Sequence, residues 1–239
     1  PLLNLEAMTV TGRTLGQEID GAGPGFEQDV VRTIADPIYP QGGIAVLYGN
    51  LAPGGAIIKQ SAASPALMEY EGRAVVFENL EDLATRIDTD DLDVTANDIL
   101  VLKCIGPKGA PGMPEAGYMP IPKKLARAGV KDMVRISDGR MSGTAFGTIV
   151  LHVTPESAVG GPLAYVQTGD RIRLSVKNRE LSLLVSDEEL SERIKTTPLH
   201  EHAAERGYRQ LFLQHVLQAD EGADFDFLKA VKTVGKVPR

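Results

Sequence analysis

Two glycine-rich polar loops hold the residues best suited to chemistry. The first is Gly106-Pro-Lys-Gly-Ala-Pro-Gly-Met-Pro-Glu115, and the second is Ile136-Ser-Asp-Gly-Arg-Met-Ser-Gly-Thr144. Pro107, Pro111 and Pro114 keep the segment before Glu115 out of helix. A carboxylate on so stiff a loop suits a hard cation such as Mg²⁺, which takes oxygen ligands. It suits a solvated loop position equally well. Ser142 stands before Gly143 and Thr144, where backbone without a Cβ can approach a carboxylate or phosphate and offer it N–H groups. A serine without an adjacent histidine is a weak nucleophile. The chemical reading is therefore a base whose pKa a nearby cation depresses, and the reading without chemistry is a turn-forming serine. Asp138 and Arg140 flank Ser142 and read as an ordinary loop ion pair, worth little.

The other candidates are weaker. His152 lies in the apolar run 147–153 and is expected to be a satisfied core histidine or one that stands behind a site. His200 and His202, separated by Glu201, have no third ligand at metal-site spacing and read as solvated. Cys104 is the single cysteine. A cluster needs several thiolates, so Cys104 reads as a small buried residue.

Each polar loop follows an apolar run, Ile99-Leu-Val-Leu102 or Met133-Val-Arg-Ile136, and so begins where a strand ends. Further strands are expected at 43–48 and 55–59, around the turn Gly49–Gly54, and at 74–77, 147–153, 163–166, 170–176 and 181–185. The run 170–176 alternates polar and apolar residues, as a half-buried strand does. A short amphipathic helix is expected over 81–87. Ser186-Asp-Glu-Glu189 forms a capping box that opens a helix through Ile194. Tyr208, Leu211, Phe212, His215 and Val216 share one face of a further helix, which Gly222 ends. Many short strands with occasional helices predict an α/β, β-rich domain, a barrel or sandwich decorated by helices. The division is a linker or N-terminal extension over 1–40, a barrel domain over 41–199, and a C-terminal helix and docking tail over 200–239. The tail Phe225-Asp-Phe-Leu228 reads equally as docking to another domain or subunit and as packing on its own barrel.

Bulk composition narrows the classes. The 239 residues include 25 Lys and Arg against 32 Asp and Glu, a formal charge of −7. That balance, without a dense basic run, argues against a nucleic-acid surface. The apolar stretches fall short of the ~20 residues of a membrane helix. No secretory pattern opens the chain, a single cysteine fits a reducing compartment such as the cytoplasm, and a start at Pro1 suggests a piece of something longer.

The chain resembles the C-terminal domain of the dihydroxy-acid/phosphogluconate/sugar-acid dehydratases, the iron–sulfur dehydratases. The resemblance is carried by Pro40-Gln-Gly-Gly-Ile-Ala-Val-Leu-Tyr-Gly-Asn-Leu-Ala-Pro-Gly-Gly-Ala-Ile-Ile-Lys59, Gly106-Pro-Lys-Gly109 with Pro111-Gly-Met-Pro-Glu115, and Ser137-Asp-Gly-Arg-Met-Ser-Gly-Thr144. It continues through His152-Val-Thr-Pro-Glu156 and Val159-Gly-Gly-Pro162. Met119-Pro-Ile-Pro-Lys-Lys-Leu125 and Gln214-His-Val-Leu-Gln-Ala-Asp220 look like the aldonic-acid branch, which acts on arabinonate, xylonate and galactonate. The dihydroxy-acid branch of branched-chain amino-acid synthesis is the alternative, and a non-catalytic interaction domain the alternative from another class.

The resemblance implies a swivelling β/β/α domain, a β-barrel with flanking helices. It implies that Glu115 ligates Mg²⁺ and that Ser142, as an alkoxide, removes the proton at C2. It also implies that Ser142, Gly143 and Thr144 contact the substrate carboxylate. An iron–sulfur cluster (2Fe–2S or 4Fe–4S) binds the leaving 3-hydroxyl as a Lewis acid, and its cysteines belong to an N-terminal domain. This chain supplies no cluster ligand and is expected to be inactive alone. The partners implied are that N-terminal domain, a small sugar acid or dihydroxy acid, and further copies in a homodimer or homotetramer.

Overall fold

Residues 74–77 (Ala-Val-Val-Phe) and 99–102 (Ile-Leu-Val-Leu) carry no polar side chain, a pattern suited to strands covered on both faces. The computed structural model of the chain buries them in that way. It describes residues 3–23, 25, 28–112, 119–140, 146–199 and 204–229. The chain divides into two compact units, 1–40 and 41–239.

In the first unit, helix α1 (Leu15–Gly21) is opened by a reciprocal capping box. Thr14 Oγ1 accepts from Gln17 N at 3.3 Å, and Gln17 Oε1 accepts from Thr14 N at 2.9 Å. The second unit is built on eight strands among the described residues: β1 (Ala45–Gly49), β2 (Ala52–Ile58), β3 (Glu69–Phe77), β4 (Ile99–Leu102), β5 (Arg135–Ser137), β6 (Ile149–Thr154), β7 (Arg171–Ser175) and β8 (Glu180–Leu183). They close a barrel in the order β1-β2-β6-β5-β4-β3-β7-β8. A closed barrel, not a sandwich, is the outcome of the expected α/β, β-rich pattern. Helices α2 (Leu80–Arg86), α3 (Lys123–Arg127), α4 (Asp187–Thr196) and α5 (Gly207–His215) belong to the same unit.

Strands β3, β4, β5 and β6 run parallel, with Phe77 opposite Leu102, Leu102 opposite Ser137 and Ile136 opposite Val150. Their C-terminal ends therefore share one rim. Alternate residues divide between two cores. Val76, Ile99, Val101, Ile136 and Val150 fill one cluster. Val75, Phe77, Leu100 and Leu102 join the other, packed on Leu83 and on Ile87 just past α2. Each such side chain contributes about 1.5–3 kcal/mol when fully buried. Helix α2 starts where Asn79 Oδ1 accepts from Asp82 N at 2.9 Å. Helix α4 starts at Ser186, as the capping box predicts, and is tied down by a bidentate pair from Arg193 to Asp170 at 2.6 and 2.9 Å.

Three local expectations are corrected. Residues 163–166 form not a strand but the end of a 3-10 turn, Pro162–Tyr165, because Pro162 presets the helical φ at its first position. Strand β2 begins at Ala52, so the expected turn Gly49–Gly54 shrinks to a connection in which Gly49 pairs with Ala52. Helix α5 ends at His215, and Gly222, at φ 92°, closes a separate 3-10 turn, Ala219–Glu221. Leu213 and Val216 form the buried side of α5, while Tyr208 and Leu211 are exposed.

Candidate functional site

Strands β4 and β5 end on the paired residues Leu102 and Ser137, so the two polar loops leave the barrel side by side. Two buried carboxylates fasten this rim. Asp138, only 1% exposed, accepts from Ile105 N at 3.0 Å and from Ser157 N at 2.8 Å. It thus joins the segments that follow β4 and β6 to the end of β5. Glu156, also 1% exposed, accepts from Lys108 N and Gly109 N, each at 2.9 Å. Gln218 completes the arrangement: its Nε2 donates to Glu156 Oε1 at 2.8 Å, and its Oε1 accepts from Glu156 N at 2.9 Å. The segment beyond α5 is thereby tied to the same rim.

Glycines make the approach possible. A Cβ at Gly106 would stand 2.5 Å from Glu156 Oε2, and one at Gly139 would stand 2.2 Å from Ile105 Cδ1. Both distances are below any real Cβ contact, so these two loop glycines make room for protein neighbours.

The expectation that Asp138 is merely half of an ordinary loop ion pair is corrected. It is a buried acceptor for backbone N–H groups contributed by two remote segments. Cys104 is half-buried at φ 59°. Burial first, and the Asp138 charge second, push its thiol up to about 12, so it stays protonated. His152 sits at φ 52°, and its ring nitrogen Nδ1 is buried without a hydrogen-bond partner among the described residues. Of the two expectations for His152, a satisfied core histidine or one that stands behind a site, the first is therefore not met. Burial, and then the nearby charge of Arg140, hold its pKa below the usual imidazole value.

Glu115, Ser142, Gly143 and Thr144 lie outside the described residues, as do His200 and His202. Among the described residues no group of three or more His, Cys, Asp and Glu can hold a metal ion, and Cys104, the single cysteine, falls short of the several thiolates an iron–sulfur cluster needs. No helix among the described residues is long and apolar enough to cross a membrane.

Sequence reasoning missed Glu156 and Gln218 and misread Asp138. The usable signal was the pair Gly106 and Gly109, whose missing side chains call for a close partner. Burial raises the pKa of Glu156, while the N–H groups of Gly109 and Lys108 and the Gln218 amide pull it down. The folded chain therefore binds this proton more tightly than the unfolded chain, for which the value is about 4.3. The contribution of Glu156 to stability is greatest below that value and falls as pH rises through the folded pKa. Glu156→Gln is expected to flatten this decline, read as urea midpoints across the window above about pH 4. An unchanged slope would show that Glu156 does not titrate there.

Comparison with known proteins places the chain in a family. The profile of the dihydroxy-acid/6-phosphogluconate dehydratase C-terminal family matches residues 29–223. The chain is 50% identical to an L-arabinonate dehydratase of Rhizobium leguminosarum over 98% of its own length and 41% of the relative's. It is 48% identical to a 6-deoxy-6-sulfo-D-gluconate dehydratase of Pseudomonas putida, over 100% of this chain and 42% of that protein. A dihydroxy-acid dehydratase of Dehalococcoides mccartyi is 40% identical over 94% of the chain and 40% of the relative. The chain spans about two fifths of the length of the curated relatives it matches.

Proposed function

The chain belongs to the dihydroxy-acid/6-phosphogluconate dehydratase C-terminal family, and from that premise we propose that it is the C-terminal domain of a sugar-acid hydro-lyase. The reaction removes water from a 2,3-dihydroxy acid and gives a 2-keto-3-deoxy acid. The observation that carries this reading is the adjacency of the two strand ends, Leu102 beside Ser137. The segments leading to Glu115 and to Ser142 start there and are fastened by Asp138 and Glu156. The substrate class rests on the names of the relatives, in which the sugar-acid dehydratases stand above the dihydroxy-acid dehydratase in identity.

In this reading Ser142 takes the proton from C2 and the hydroxyl departs from C3. The two leave as water, and the resulting enol tautomerises to the keto acid. Ser142, Gly143 and Thr144 hold the substrate carboxylate, which fits a serine–glycine segment that can offer N–H groups. Glu115 is the chain's ligand for Mg²⁺, a hard cation matched to a carboxylate oxygen. The iron–sulfur cluster belongs to an N-terminal domain, the full protein is a homodimer or homotetramer, and it works in the cytoplasm. It binds neither nucleic acid nor membrane, and this chain alone is inactive.

The test uses the full-length protein, assayed for 2-keto acid with a pentonate and with 2,3-dihydroxyisovalerate. Turnover of the pentonate is expected to dominate. Preference for the short acid would move the protein to the dihydroxy-acid branch, and activity on neither would overturn the reading. In the same protein, Glu115→Gln should raise the Mg²⁺ requirement at least about tenfold, the cost of losing even a supporting group around a metal.

A further inference from the structure

A cavity of about 540 Å³ opens on the outer face of the barrel, beside the rim that carries the two loops. Strands β1, β2 and β6 form its floor, and the turn 219–223 forms one wall. The volume is that of a small-molecule site. Strand β6 is bulged here. The register passes from Ile57 opposite Leu151 to Gly55 opposite Thr154, so β6 carries one additional residue. The bulge places His152 at φ 52°, a conformation uncommon for a residue with a side chain. Bulges re-aim side chains, and His152 at this one lines the cavity.

The strained backbone is held on both sides. His152 N donates to Gly139 O at 3.1 Å, and Thr154 Oγ1 donates to His152 O at 2.9 Å. Nothing among the described residues meets the buried Nδ1, although buried polar atoms are almost always paired. Asp220 also lines the cavity, and a Cβ at Gly54 would stand 3.2 Å from its Oδ2. Val46, Ile57 and Ala219 supply apolar wall.

We propose that this cavity binds a hydroxylated carbon chain, with one hydroxyl on the His152 imidazole, another on the Asp220 carboxylate, and its C–H faces against Val46 and Ile57. A hydroxyl both donates and accepts, so it satisfies either tautomer of the ring. An anionic group is disfavoured by Asp220, and among the described residues a metal ion lacks a third protein ligand here. The chain is either a free polyol or the distal hydroxylated end of a sugar-acid substrate, the second source resting on the dehydratase reading above.

The test begins with this chain alone. Addition of a pentitol or a pentonate should shift the His152 imidazole nitrogen resonances saturably. By calorimetry, His152→Asn and Asp220→Asn should each weaken pentitol binding about tenfold, the scale of one buried hydrogen bond. Asparagine is chosen at 152 because it tolerates the left-handed backbone. Absence of a saturable shift with either compound, or unchanged affinity in both variants, overturns the proposal whatever the full-length enzyme does. In the full-length enzyme, a KM for pentonate raised by His152→Asn, with that for 2,3-dihydroxyisovalerate unchanged, assigns the cavity to the substrate's distal end. Two unchanged KM values beside lost pentitol binding assign it to a free polyol. An enzyme inactive on every acid defeats the dehydratase reading and leaves the binding result standing.

Discussion

Ser142→Ala in the full-length protein should lower kcat by about 10²–10⁴-fold, the range that a positioned base supplies. Loss of solvent-deuterium exchange at C2 of the substrate should accompany it, because exchange needs proton removal even when water does not leave. Thermal unfolding should be unchanged, since the substitution deletes one hydroxyl. The pairing of these readouts separates the chemistry from the fold. A variant that turns over and exchanges at the parental rate would reduce Ser142 to a turn former and favour a domain that only binds a partner.

Asp138→Ala should be the most damaging single change to the rim. It strands the N–H groups of Ile105 and Ser157 in a site where the carboxylate is 1% exposed. A buried donor left without a partner costs about 1–3 kcal/mol, so the pair costs about 2–6 kcal/mol. A domain holds only about 5–15 kcal/mol in total, so the variant approaches global unfolding. Burial raises the pKa of Asp138, opposed by the same backbone N–H groups. The negative charge itself is therefore a burden, and its acceptor oxygens are what stabilise. Asp138→Asn keeps one acceptor and should lose about half as much. Urea unfolding of both variants measures this; a loss below about 1 kcal/mol for alanine would mean that water replaces the carboxylate.

Those two residues mark the boundary of what the sequence discloses. The apolar run 99–102 and the Ser186 capping box are local signals, and each became the expected strand or helix start. The loops after β4 and β5 were legible because apolar runs precede them, and their adjacency then followed from parallel pairing. Leu163 to Val166 failed as a strand because burial and β-propensity say nothing against a 3-10 turn until Pro162 is given its weight. Asp138 failed for a deeper reason. Its partners are backbone groups 33 and 19 residues away, and no side-chain pattern records a backbone partner. The same holds for Glu156, whose cradle is made by Lys108, Gly109 and Gln218. The space beside Gly139 is filled by Ile105, a role that no pattern of side chains announces. For His152 an apolar neighbourhood predicts burial, in the core or behind a site; it does not predict the bulge that puts the residue at φ 52°.

The closing pattern of the barrel also governs how the chain is made. Strands β1 and β2 pair with each other early, but the other edge of β2 waits for β6, with Ile58 opposite Val150. The other edge of β1 waits for β8, where Tyr48 meets Glu180. During synthesis the hairpin therefore emerges with two unsatisfied edges; β6 can cover the β2 edge, and the β1 edge stays open until residue 180 has emerged. Pairings of such long range make folding slow. A nascent chain that pauses before β8 presents open strand edges to its neighbours, and an aggregation hazard persists until the last strand arrives.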